Sequence, residues 1–305
     1  MLKVLRDPRV SIVIPLQRDE QLFEATLLSV LENQPADCQI LAAHNGTYSD
    51  PFQLGDEVTF VTARSSNLVD LVRDAFGATT APIVHVIGTG MKASTDWLDP
   101  AIASFTESDV AAAAATLVSE QTTQIHSTGW CDTPGRYCQP QRAAERDRRT
   151  DALNGFFLDA CFVRRDLLGE LLDAIAPAMN DPVAFSYAAG CLLKRSGWKI
   201  STSFDSQIFA DPTVLPEDHS DLDRGVCLAS IRSRVIPDVP RASFVSMLQS
   251  AILGPGSLAE MLGMLRHRGG ISAMRRAIDP DCVSTPDEIA AAHAKSTTAA
   301  NLRAA

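Results

Sequence analysis

The chain has 305 residues (32.8 kDa), is 46% hydrophobic, and carries a formal net charge of −10 with a pI near 5.0. That length can bury a core for one substantial α/β unit plus an appendage, enough for an enzyme. The acidic balance excludes a general nucleic-acid binder, which needs a dominant basic face, and no apolar run reaches the ~20 residues that span a bilayer.

Seven cysteines, an odd number without C-x-x-C spacing, and no signal-peptide pattern before Val10 predict reduced thiols in a cytoplasmic protein. His126, Cys131 and Cys138 lie near one another, but zinc ligands are usually spaced more tightly.

From Val10 to about Leu117 strand and helix patterns alternate, as a mainly parallel sheet with crossover helices requires. Val10-Ser11-Ile12-Val13-Ile14-Pro15 is a β-run. A helix follows with Phe23, Leu27, Val30 and Leu31 on one face, ended by Asn33-Gln34-Pro35. Cys38 to Ala43 and Val58 to Thr62 read as strands, and Leu68, Leu71, Val72, Ala75 and Phe76 keep helical spacing. Ile83 to Ile87 is the next strand, and Asp99-Pro100 reads as an N-cap and first-turn proline for a helix through Phe105. Val110 to Val118 reads as strand.

Ser119 to Asp151 has no clear period and carries Arg136, Arg142, Arg146, Arg148 and Arg149. It reads as a long excursion over the sheet: a solvated face or mobile loop, with a functional lid as the alternative. The sheet resumes over Phe156 to Val163, a helix follows Arg164-Arg165-Asp166 through Ala174, and a second runs from about Val183 to Arg195. Beyond it, Phe244, Met247, Leu248, Ala251 and Ile252 form one helical stripe. Ser257 and Glu260 then make a capping box for a helix burying Leu258, Met261, Leu262 and Leu265. Gly269-Gly270 ends that helix, a short one carries Met274, Arg275 and Arg276, and a frayed tail starts at Thr285.

Three stretches together resemble a family 2 glycosyltransferase. They are the V-S-I-V-I-P run with Thr26-Leu27-Leu28-Ser29-Val30-Leu31, the strand ending in His44-Asn45-Gly46, and Asn180-Asp181 before a helix followed by Gly197-Trp198-Lys199. The resemblance covers about Val10 to Ser203. It implies a GT-A-like α/β fold, a mainly parallel sheet flanked by helices, over residues 1–240. A C-terminal helical appendage would occupy 241–284 and a flexible tail 285–305. It also implies transfer of a sugar from a nucleotide-sugar donor to an acceptor by inverting displacement.

Within that resemblance the family's acidic motifs are replaced. The D-x-D that holds a divalent cation on the diphosphate falls on Gly88-Thr89-Gly90, which offers a hydroxyl and carbonyls but no carboxylate, so no metal cofactor is expected there. Two readings of that turn stand: a plain tight turn, or one presenting N–H groups to a phosphate with Lys92 replacing the metal's charge. Pro15, the end of the first strand, is taken with this turn as a nucleotide- or diphosphate-binding position. Asn45 takes the place of the nucleotide-reading aspartate, and Asn45-Gly46 is also a turn signal in its own right. Asp181 aligns with the family's catalytic base; with Pro182 behind it, it is equally an N-cap. Loss of both acidic motifs keeps a second function open, a catalytically silent domain that binds a sugar nucleotide, a glycan or a protein.

From Arg241 onward seven basic residues face five acidic ones, so this end is +2 and the remainder −12. Arg266, His267, Arg268, Arg275 and Arg276 beside the methionine-bearing stripes predict either peripheral contact with an anionic membrane or, alternatively, packing on the main domain with solvated arginines.

Overall fold

The computed structural model of the chain describes residues 7–17, 19–33, 37–142, 153–210, 222–238, 243–252, 254–267, 276–292 and 295. The first half runs β1 (Val10–Pro15), α1 (Glu20–Asn33), β2 (Cys38–His44), β3 (Val58–Thr62), α2 (Leu68–Phe76), β4 (Ile83–Ile87), β5 (Met91–Ala93) and α3 (Leu98–Ala103). Then come β6 (Val110–Ser119), β7 (Ile125–Ser127), β8 (Trp130–Cys131), β9 (Gln139–Pro140), β10 (Asn154–Gly155), β11 (Ala160–Arg164), α4 (Arg165–Ile175), α5 (Pro182–Arg195) and β12 (Lys199–Ala210). Three helices follow, α6 (Leu222–Val235), α7 (Phe244–Ala251) and α8 (Pro255–His267).

The central sheet has the order β3-β2-β1-β4-β11-β6-β12-β5, with β7 on β6. β3, β2, β1 and β4 are parallel, β11 is antiparallel to both β4 and β6, and β12 is parallel to β6. All six residues of β1 are buried, the continuous apolar run that a strand covered on both faces requires. Because the chain leaves β1 toward β2 and β3 and returns on its other side at β4, the strand order reverses between β1 and β4. A sheet of this kind opens its ligand crevice at the carboxyl ends of the strands flanking that reversal.

Alternation along the strands divides the core. Val13, Leu41, Val84, Val86 and Cys161 face a layer containing α2, α4 and α5; Ile12, Ile14, Ile40, Ile87 and Phe162 face α1 and Trp97. His85 lies wholly inside the second layer. Its Nδ1 lies 2.8 Å from the Cys161 carbonyl, its ring stacks on Phe162 at 3.9 Å, and burial pushes its pKa down to about 3.

The excursion after β6 departs from the solvated loop expected of it. Over 119–142 it pairs β7 with β6, and its β8 and β9 join β10 in a small β10-β8-β9 sheet. It also drives Trp130 into the core, where the indole donates to the Phe156 carbonyl at 2.9 Å. Gly155 and Gly190 make room for the ring: a Cβ on either would lie 2.3–2.4 Å from Trp130 Cζ2. The aperiodic sequence hid this because the wedge depends on glycines distant in the chain. Arg142 is exposed, whereas Arg136 is buried and paired with Glu260 at 2.9 Å; Arg146, Arg148 and Arg149 lie outside the described residues.

Around Trp130 a buried polar network joins the excursion to the helices. Asp132 accepts from Tyr187 (3.1 Å), from the Cys138 backbone (3.0 Å) and from Arg232, whose guanidinium lies 4.7 Å over the Tyr137 ring. Burial pushes the Asp132 carboxyl up to about 6 against the opposing pull of Arg232.

The capping box expected at Ser257 and Glu260 does not form: α8 starts at Pro255 and Glu260 turns inward to Arg136. That rotation buries Met261 and Met264 and leaves Leu258 and Leu262 exposed, contrary to the expected stripe. α6 and α8 approach at Gly225 and Gly263, where a Cβ would meet the Glu260 or Leu222 carbonyl at 2.0–2.1 Å. Asp99 does not cap α3, whose N-cap is Trp97; it pairs with Arg9 at 3.1 Å instead. The helix expected at 274–276 and the stop at Gly269-Gly270 lie outside the described residues, apart from Arg276. Within the expected tail Thr285 opens a short helix over 286–292, where Glu288 accepts from the Thr285 N–H at 2.8 Å and the Thr285 hydroxyl accepts from the Glu288 N–H; 293–294 and 296–305 lie outside the described residues. Among the described residues no helix is long and apolar enough to cross a membrane.

Candidate functional site

The reversal point is built from the ends of β1 and β4. Thr89, just past β4, is buried; its hydroxyl donates to the Pro15 carbonyl and accepts from the Gln17 N–H at 3.3 Å. One side chain thus fastens the ends of the two switch-point strands together. Gly90 takes φ +84°, a conformation that favours glycine, and its N–H donates to the Thr26 hydroxyl on α1 at 2.8 Å. The Gly88 N–H donates to the Asp159 carbonyl (2.8 Å) and the Met91 N–H to the Gly88 carbonyl (3.1 Å). Three N–H groups of this turn are therefore satisfied within the protein. Lys92, in β5, places Nζ 2.8 Å from both oxygens of Glu120.

The β2 end forms a turn of its own. Gly46 has φ +90° and donates to His44 Nδ1 at 3.1 Å, while Asn45 Oδ1 accepts from the Thr47 hydroxyl at 2.7 Å. Asn45 is exposed, whereas His44 is buried against Tyr48 and Phe60, and burial lowers its pKa.

Asp181 caps α5. Its Oδ1 accepts from the Ala184 N–H at 2.7 Å, Pro182 occupies the first turn, and Oδ2 lies 3.6 Å from Arg224 Nη2 on α6. The capping geometry read in the sequence is present, with an ion-pair partner that the sequence did not reveal.

Between Gly88 and the start of α5 stands a residue that sequence reasoning missed. Asp159 is the cross-strand neighbour of Gly88, one step beyond the Ala160–Ile87 pair, and a Cβ on Gly88 would lie 3.0 Å from the Asp159 Cβ. Its predecessor Leu158 donates to Ser186 Oγ (3.0 Å), which bonds the Pro182 carbonyl (2.7 Å) in the first turn of α5. Burial pushes the Asp159 carboxyl up to about 6, with no offsetting cation among the described residues. The only signal in the sequence was a carboxylate at the mouth of an otherwise apolar stretch, Phe156 to Val163.

The structure thus brings Pro15, Gly88, Thr89 and Gly90 together at one edge, with Asp159 linking that turn to the helix that Asp181 caps. It sets Lys92 on β5 and Asn45 on a separate turn. A divalent cation asks for several hard oxygen ligands. Gly88, Thr89 and Gly90 supply no carboxylate and the Thr89 hydroxyl is committed, so these residues do not fit one. Among the described residues no group of three or more His, Cys, Asp or Glu side chains is arranged to hold a metal ion.

No protein-family model matches the chain, and no curated protein matches it by sequence. Solved structures do match its fold. A mannosyltransferase, PcManGT from Pyrobaculum calidifontis, described in complex with GDP-Man and Mn2+, superposes with a TM-score of 0.51 at 15% identity, over 97% of this chain and 81% of that one. GalNAc-T7, described with UDP, GalNAc and Mn2+, gives 0.48 at 13% identity over 66% and 43%. The mostly parallel sheet flanked by helices is the GT-A-like fold of that mannosyltransferase.

Proposed function

We propose that the chain is a glycosyltransferase that moves a sugar from a nucleotide-sugar donor to an acceptor hydroxyl by inverting displacement. The observation carrying this reading is the strand order, which gathers the Pro15, Gly88–Gly90 and Asp159 positions at the reversal point of a glycosyltransferase-like sheet. In the reaction the acceptor oxygen attacks the anomeric carbon, and the bond to the diphosphate breaks with its electron pair leaving on the nucleotide. Asp181 takes the hydroxyl proton. Its Oδ1 is used by the cap, so Oδ2 is the oxygen that receives it. Lys92 meets the diphosphate by giving up Glu120, and Asn45 offers its amide N–H groups to the nucleoside. An exposed ion pair of the Lys92–Glu120 kind contributes only ~0–1 kcal/mol, so that exchange costs little.

The competing reading, a domain that binds sugar nucleotides without turning them over, draws on the satisfied N–H groups of the 88–91 turn and its lack of carboxylates. Titrating UDP and GDP with and without Mn2+, while following nucleoside diphosphate release from GDP-mannose and UDP-sugars, separates the two. Release favours the transferase, and binding without release the silent domain. A full-length chain that binds neither nucleotide refutes both.

Peripheral contact with an anionic membrane belongs to the same proposal. Phe244, Val245, Leu248 and Ile252 of the α7 segment and Leu258 and Leu262 of α8 are exposed. The only acid in 243–267, Glu260, is buried against Arg136, and Arg266 ends the α8 stripe. On a chain of net charge −10, this apolar, acid-free face has the character of a lipid-facing surface.

A further inference from the structure

We infer that Asp159 binds the sugar of the donor, accepting hydrogen bonds from its hydroxyl groups, and that the site therefore takes a neutral pyranose in preference to a uronic or sialic acid. This rests on the glycosyltransferase reading and extends it to the substrate class.

Position is the first support. Gly88 and Asp159 each lie two residues beyond the Val86–Cys161 pair, on the sheet face that packs against α5. On that face Asp159 lies between the turn assigned to the diphosphate and the helix start that carries Asp181. A sugar being transferred occupies the space between its diphosphate and the base that activates the acceptor. Asp159 borders that space.

Rigidity is the second. The Asp159 carbonyl is tied to Gly88, the Leu158 N–H is tied to Ser186, and the Cys161 thiol reaches the Leu158 carbonyl at 3.3 Å. Gly88 contributes no side chain, and the Asp159 Cβ stands where one would crowd it. The carboxyl is thus held in place by the backbone on either side of it, as a specificity contact requires.

Chemistry is the third. No side chain among the described residues donates to this carboxylate or neutralises it, and the titratable group set against it is the buried Cys161 thiol, whose pKa the Asp159 charge helps to raise. A half-buried acceptor of this kind gains from a ligand that supplies O–H donors, which a pyranose does with vicinal hydroxyls. A carboxylated sugar would bring a second negative charge with no cation to offset it.

The test measures the affinity of the full-length protein for GDP-mannose, UDP-glucose and UDP-glucuronate, and for GDP and UDP alone, between pH 5 and 8. The wild-type protein and Asp159→Asn are compared. We expect the neutral nucleotide sugars to bind about tenfold more tightly than their nucleotides, the effect of hydrogen bonds to a charged acceptor. That advantage should fade as the pH drops below about 6, where the carboxyl takes up a proton. In Asp159→Asn the advantage should fall to within threefold and lose its pH dependence while nucleotide affinity stays unchanged; UDP-glucuronate should gain no advantage over UDP in the wild-type protein. Asparagine keeps the shape and removes only the charge, and the wild-type pH series gives the answer even if the variant folds poorly. An undiminished, pH-independent sugar advantage in the variant, or glucuronate bound as tightly as glucose, overturns the inference and leaves the transferase reading standing. Failure of the wild-type chain to bind any nucleotide overturns both.

Discussion

His85 makes the stability of this fold depend on pH in a way that can be isolated. The imidazole is fully buried on β4, with a pKa of about 3 in the folded chain against an ordinary 6.5. Below pH 6.5 the unfolded chain takes up a proton that the folded chain refuses, so the His85 contribution is whole above pH 6.5 and is lost as pH falls toward 3. At pH 4.5, two units below the unfolded value, the loss is about 2.7 kcal/mol at 1.36 kcal/mol per unit. Asp132 and Asp159 work in the opposite direction. Each is raised to about 6 from 3.8, so the folded chain binds protons there first and gains roughly 1.5 kcal/mol per group between pH 6 and 4.5. The wild-type curve alone therefore hides the histidine. Urea unfolding of the wild-type protein and His85→Gln at pH 7.5, 6.5, 5.5 and 4.5 exposes it, because the carboxylate contributions cancel in the difference. Whatever His85→Gln costs at pH 7.5, the gap should narrow by about 2.7 kcal/mol at pH 4.5. A gap constant to within ~0.5 kcal/mol would show that the imidazole is not buried in its neutral form.

Further predictions concern packing, charge and surface. Arg136→Met leaves Glu260 buried without its cation and should cost ~3–5 kcal/mol in urea unfolding, with Arg136→Met/Glu260→Leu recovering most of it; a cost under ~0.5 kcal/mol would mean that Arg136 is solvated after all. Gly190→Ala should destabilise by ~1–3 kcal/mol through its clash with Trp130, although Gly-to-Ala inside a helix ordinarily stabilises by up to ~1 kcal/mol; a raised melting temperature would contradict the wedge. Asp181→Asn should keep α5 capped and lower turnover ~10²- to 10⁴-fold with donor affinity unchanged, and full activity in that variant would leave Asp181 as a cap alone. The intact chain should co-float with vesicles containing anionic lipid at low salt and lose this with Leu248→Glu/Leu262→Glu; flotation unaffected by the pair, or none at all, removes the lipid-facing role of α7 and α8.

Most of the strands and helices were legible in the sequence because local signals and burial agree there. β1 is apolar throughout and buried on both faces; α2 carries Leu68, Leu71, Val72 and Ala75 at helical spacing and buries all four. The alanine run of β6 was read as strand and pairs with both β11 and β12. What could not be read depended on contacts between distant segments. Ser257 and Glu260 have capping-box spacing, yet a buried arginine 124 residues away draws Glu260 inward and rotates the helix. Asp99 has the sequence of an N-cap, but Arg9 takes it. The 119–142 excursion has no period because its order comes from one tryptophan seated against two glycines on other elements.

The candidate site divides along the same line. The turn itself was legible, since glycines after a buried strand mark a strand end, and Thr89 does bond Pro15 there. The chemistry was read from which residues replace acidic ones at two strand ends, and such a comparison is blind to a carboxylate on a neighbouring strand. Asp159 is 71 residues from Gly88 in the chain, and only the antiparallel pairing of β11 with β4 puts them side by side. Glycine at 88 and aspartate at 159 are best understood as one feature: the space that a side chain on β4 would fill is taken by one from β11. The turn after β4 carries no carboxylate of its own, and the one beside it precedes the neighbouring strand, next to the helix that Asp181 caps. On the proposed reading, that carboxylate meets the hydroxyls of a sugar and not a cation on a diphosphate.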